Sequence, residues 1–77
     1  MPVKEPRVLD LRGLKCPMPV LKSRKAMRAL LPGEEIWVET TDPLAAIDIP
    51  NFCRTDGHLL VGSESGDGFQ RFLIAKG

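Results

Sequence analysis

Apolar and polar residues follow one another along this chain in two rhythms, and the switches between them mark six elements. Residues 8–11, VLDL, make a short strand candidate in charged surroundings. Between residues 17 and 31, Val20, Met27 and Leu31 fall at i, i+7 and i+11, with Leu30 beside them, which is the spacing of one helix face. Pro32-Gly33 ends that helix. Residues 35–40, EIWVET, alternate Ile36 and Val38 against Trp37 and Glu39, the period of a strand. Thr41-Asp42-Pro43 then predicts a second helix start, with Asp42 at the N-cap and Pro43 in the first helical position. Its apolar residues are Leu44, Ile47 and Phe52, and Pro50 inside it should kink or divide it. Thr55-Asp56-Gly57 is a turn, residues 58–64 a third strand, and Ser65-Gly66-Asp67-Gly68 closes a hairpin onto residues 69–75.

The order βαβαββ constrains the topology. Strands one and two, joined through a helix, should be parallel, and strands three and four, joined by a short loop, antiparallel. Both helices are expected on one face of a four-stranded mixed sheet, giving a two-layer α/β sandwich. The other face is then open, with Trp37 on it or at its edge. A partner could bind there, although a tryptophan packed in or beside the core is the commoner arrangement.

Seventy-seven residues suffice for a single domain with one small core, residues 1–7 forming a flexible tail. No apolar run is long enough to span a bilayer. The N-terminus, MPVKEPRVLDL, lacks the apolar stretch and cleavage site of a secretory signal, so a cytoplasmic protein is expected. The two cysteines, Cys16 and Cys53, lie outside any CxxC spacing and should be free thiols in a reducing compartment. Charge sharpens the picture. Residues 1–31 hold eight Lys and Arg against two acids, while residues 32–77 hold three against eight. A chain of net charge +1 is therefore basic around its first helix. That is either a solvated face or a docking surface for an acidic partner.

Residues 14–23, LKCPMPVLKS, raise a chemical question, because Ser, Thr, Asp or Asn would cap a helix better than Cys16. Proline disfavours the α conformation in the residue before it, which places Cys16 at the N-cap and Pro17 as the first helical residue. Pro19 falls in the same first turn, where a missing N–H costs no ladder bond. The Met18 N–H is then the donor aimed at Cys16. The helix dipole, Lys15, Lys22 and Arg24 all favour thiolate, so the thiol is expected below its ordinary value of about 8.5. These physical terms leave a reactive cysteine and a structural one both open, and the stiff double-proline frame favours the reactive one.

LDLRGLKCPMPVL at residues 9–21, with TTDPLAAIDIPNFCRTDGHLLV at residues 40–61, resembles the TusA (SirA-like) family of small sulfur-transfer proteins. The likeness runs from about Val8 to the C-terminus. Its signature, Gly-x-x-Cys-Pro-x-Pro opening a helix, stands here as Gly13, Cys16, Pro17 and Pro19. The resemblance implies the same βαβαββ sandwich and a Cys16 that carries sulfur as a persulfide. It implies a cysteine desulfurase or rhodanese-type donor protein and a downstream acceptor protein. It also implies a role in tRNA 2-thiouridine formation or in cytoplasmic sulfur trafficking and oxidation, with no cofactor or metal. The best-known tRNA-thiolation members carry an acidic residue between the prolines, whereas this chain has Met18.

Arg12, Lys15, Lys22, Arg24, Lys25 and Arg28 are the candidate docking surface for donor and acceptor. Arg24 lies close to the apolar stripe, where its stem could cover apolar surface or its head pair with Asp10 or Asp42. Cys53 reads as a buried small hydrophobe, and His58 as a surface residue at a strand start. Cys16, Cys53 and His58 lack the paired spacing of a zinc site. Two other classes compete. A thiol–disulfide oxidoreductase needs the two cysteine Cα atoms within about 7 Å. A small RNA-binding module could use the basic helix, but no aromatics are interleaved for stacking, so direct RNA binding is not expected. The protein is expected to be a monomer.

Overall fold

The computed structural model describes residues 6–77. Its elements are β1 (Arg7–Asp10), α1 (Met18–Arg28), β2 (Glu35–Thr40), α2 (Ala45–Asp56), β3 (Leu59–Gly66) and β4 (Phe69–Ala75). The tail expected at residues 1–7 falls largely on residues 1–5, outside the described residues, while Arg7 already belongs to β1. The four strands form one mixed sheet in the order β1-β2-β4-β3. β1 runs parallel to β2, and β4 lies antiparallel to both β2 and β3. The chain is the βαβαββ two-layer sandwich that its pattern predicts, with the last strand inserted beside β2.

Strand alternation sorts the sheet into two faces. Ile36, Val38 and Thr40 of β2 point under the helices, and Ile36 pairs with Ile74 and Val38 with Phe72. Met27 and Leu30 from the first helical segment and Ala45, Ile49, Phe52 and Cys53 from α2 close the core over them. On the opposite face Val8, Trp37 and Leu73 stand in register. The Arg71 guanidinium lies 3.9 Å from the Trp37 ring centre, so the tryptophan belongs to the open face and is half covered by a cation.

The helices differ in detail from the periodic reading. α1 stops at Arg28, so Leu31 leaves the helical register and is 70% exposed, while Leu30 takes the core position. The Lys76 Nζ donates to the Met27 carbonyl at 2.8 Å, and the Gly33 N–H donates to the Lys76 carbonyl. Together these contacts fix the helix end against the C-terminus. On α2 the buried stripe is Ala45, Ile49, Phe52 and Cys53. Of the residues expected there, Leu44 and Ile47 are exposed and only Phe52 enters the core. α2 begins at Ala45 rather than Pro43, and Pro50 does not divide it. Gly57, at φ 77, ends it in the left-handed conformation that glycine accommodates. β3 extends to Gly66 because Asp67 and Gly68 alone, both at positive φ, form the two-residue hairpin turn. Among the described residues no helix is long and apolar enough to cross a membrane.

Candidate functional site

Two loops leave the carboxyl ends of the parallel pair β1 and β2, and they are tied to each other. The Gly13 N–H donates to Thr41 Oγ1 at 2.8 Å, and the Cys16 N–H donates to Asp42 Oδ2 at 2.8 Å. Gly13 has φ 87, which suits glycine at this reversal. Asp42 also accepts at Oδ1 from the Leu44 N–H, and its own N–H donates to Thr40 Oγ1. One carboxylate thus serves the start of α2 and the approach to α1 together. This explains why α2 starts later than expected: Asp42 forms a side-chain turn ahead of the helix instead of capping it directly.

Cys16 emerges from this corner exposed. It opens on a hollow of about 410 Å3 lined by Gly13, Leu14, Lys15, Thr41, Asp42 and their neighbours Pro43 and Leu44. Open α/β sheets place ligand sites in this position, outside the carboxyl ends of parallel strands. Large apolar side chains stay exposed at the starts of both helices, Met18 and Leu21 on α1 and Leu44 and Ile47 on α2. The sequence pattern places Met18 in the motif and Leu44 and Ile47 among the apolar residues of the second helix. The signal that could have separated them is the alternative stripe at 45, 49, 52 and 53.

The local frame departs from the cap geometry predicted for the sulfur. Pro17 occupies the N-cap position without a side-chain cap bond, Met18 is the first helical residue, and Pro19 is buried behind it. The Cys16–Pro17 peptide bond is cis. The Met18 N–H donates to the Lys15 carbonyl at 2.8 Å, so it is not the donor to Cys16. The Cys16 thiol instead lies among acids. Its Sγ and carboxylate oxygens of Asp42 and Asp48 lie within 4.8 Å of one another. The Asp48 carboxylate beside it favours the protonated thiol and raises it above its ordinary value, with partial desolvation and the charges of Asp48 and Asp42 adding to the effect. The expected depression is therefore reversed. Two carboxylates close by outweigh a helix terminus and lysines that extend into solvent.

The basic residues divide in the same way. Arg12 is bound to Asp10, with Nε at 2.9 Å, and lies over the Phe69 ring. Arg24 pairs with Asp56 at 2.8 Å and lies over Phe52, so neither Asp10 nor Asp42 is its partner. Lys15, Lys22, Lys25 and Arg28 are exposed and enter no ion pair with the described residues. Cys53 is buried in α2, and both cysteines are free thiols. His58 packs its ring against Phe52 and accepts from the Gly77 N–H at Nδ1, so neither it nor Cys53 joins the Cys16 cluster.

Fold and corner define a small α/β sandwich that offers one cysteine on a loop tied from two sides. The family model described as Sulfurtransferase TusA matches residues 7–76. The chain belongs to that family, whose general activity is sulfur transfer between protein partners.

Proposed function

We propose that this protein is a sulfur carrier that takes sulfane sulfur on Cys16 as a persulfide. The donor is a cysteine desulfurase or rhodanese-type protein, and the cargo passes to an acceptor protein. The setting is the cytoplasm, in tRNA 2-thiouridine formation or in sulfur trafficking and oxidation. One observation carries the reading: Cys16 is an exposed free thiol on the loop that leaves the carboxyl end of a parallel strand, inside the matched family region. The sulfur of Cys16 bonds to the outer sulfur of the donor persulfide, the donor S–S bond breaks, and the donor leaves as its thiol. An acceptor thiol then attacks the outer sulfur on Cys16 and restores the Cys16 thiol. Neither step requires a metal or organic cofactor.

The exposed cations Lys15, Lys22, Lys25 and Arg28 supply attraction for acidic partners. The exposed Met18, Leu21, Leu44 and Ile47, at the starts of the two helices, supply apolar surface for a partner. Incubation with a loaded desulfurase or rhodanese, followed by intact mass measurement, tests the reading. A gain of about 32 Da that maps to Cys16 is expected. Uptake that persists in Cys16→Ser would assign the cargo to another residue.

A further inference from the structure

Asp42 and Asp48 both face Cys16, but their commitments differ. The two carboxylate oxygens of Asp42 are taken by backbone donors, Cys16 N–H and Leu44 N–H. Asp42 builds the corner. Asp48, half-buried in the first turn of α2, makes no side-chain contact with backbone and no ion pair among the described residues. Its carboxylate lies within 4.8 Å of the Cys16 sulfur and of the Asp42 carboxylate. A favourable position near a helix start accounts for an acid in that turn. It does not account for one turned onto the sulfur of a facing loop.

We propose that Asp48 holds the proton of the unloaded Cys16 thiol and receives it when Cys16 attacks a donor persulfide. The proposal rests on the sulfur-carrier reading of Cys16. As the Cys16 sulfur bonds to the outer sulfur of R–S–SH, the donor S–S bond breaks and its electron pair leaves with R–S⁻. The Cys16 proton moves to the Asp48 carboxylate and from there to R–S⁻. The sum, R–SSH and Cys16–SH giving R–SH and Cys16–SSH, needs no oxidant or reductant. The acids facing the thiol are Asp48 from α2 and Asp42 from the β2–α2 loop. Lys15, from its own loop, lines the same hollow. An unloaded carrier of this kind resists adventitious alkylation and oxidation, because thiolate is the reactive form.

The test is the rate of Cys16 alkylation by iodoacetamide as a function of pH, read peptide by peptide so that Cys53 does not contribute. In the wild-type protein the midpoint should lie above the ordinary thiol value. In Asp48→Asn it should fall by about one unit, with several-fold faster alkylation near neutrality. Asp48→Glu, which keeps the charge, should retain most of the elevation. The pH profile of sulfur loading should move down with the alkylation midpoint in Asp48→Asn. A wild-type midpoint at or below the ordinary value overturns the proposal without recourse to any variant. A folded Asp48→Asn that titrates as wild type does so too, as does a loading profile that stays fixed while alkylation moves. Failure of the carrier reading is a separate result: wild-type protein that gains no mass from a loaded donor, whatever its alkylation profile.

Discussion

Cys16 lies exposed on the loop that leads into α1, whereas Cys53 lies in α2 with 2% of its surface exposed, among Phe52 and Ile49. Both thiols resist ionisation, for different reasons. Burial leads at Cys53 and, with the charge of Asp56, pushes it up to about 11. At Cys16 the leading cause is the Asp48 carboxylate. A shift due to burial lasts as long as the fold does. A shift due to neighbouring charge can be cancelled by a partner that presents a cation, or by one substitution. The same side chain is a core filler in one place and an adjustable nucleophile in the other.

The largest effect that could break this division is on sulfur uptake. Cys16→Ser should abolish it after exposure to a loaded donor, and intact mass reads the result. Reversal of Lys22 and Lys25 to Glu comes next. Both are exposed on the helix that follows Cys16 and neither has an ionic partner among the described residues. The double change should slow loading roughly tenfold at low salt and much less at high salt, with an unchanged melting temperature. Loading rates that do not depend on these charges would leave the exposed apolar residues Met18, Leu21, Leu44 and Ile47 as the docking element.

The two regions were not equally legible in the sequence. Cys53 beside Phe52 reads correctly as core, because burial follows from apolar neighbours at helical spacing. The strands also read well: EIWVET carries its own alternation, and the observed β2 has the predicted limits. The position of Cys16 in a strand-to-helix corner was legible from Pro17 and Pro19. Its electrostatics were not. They depend on Asp42 and Asp48, which lie 26 and 32 residues further along and meet the sulfur only because β1 and β2 pair in parallel. Lys15 and the helix dipole, the charges nearby in sequence, point to the opposite sign. The exposed Leu44 and Ile47 were misplaced for a related reason. With two candidate stripes on α2, only the sheet beneath it selects Ala45, Ile49 and Cys53.

A smaller effect reads the burial of Cys53 directly. Burial pushes this thiol up to about 11, against an ordinary value of about 8.5–9. Below about 9 the thiol is protonated in folded and unfolded chains alike, and stability is unaffected. As pH rises from there toward 11, the unfolded chain ionises first, so unfolding releases a proton and stability falls. The loss should reach on the order of 2 kcal/mol at the top of that window. Urea unfolding across it measures the loss, and Cys53→Ala supplies the background from lysine titration. Parallel curves for the two proteins would mean that Cys53 is better solvated than its position in the core implies.

The smallest effect is the cost of that same substitution near neutral pH, and it sharpens the comparison most. Cys53→Ala removes one sulfur atom from a core that also holds Ile49, Ile74 and Met27. A void of that size should cost about 1 kcal/mol, less than the loss of a leucine or isoleucine side chain. In a domain this small that lowers the melting temperature by roughly 4–8 °C. Sulfur uptake on Cys16 should be unchanged, because Cys53 is closed to a partner's persulfide and contributes no group to the corner. Melting temperature and uptake therefore have to separate in this variant. If uptake falls while the fold and the Cys16 alkylation profile hold, Cys53 takes part in the chemistry and the division between the two thiols is wrong.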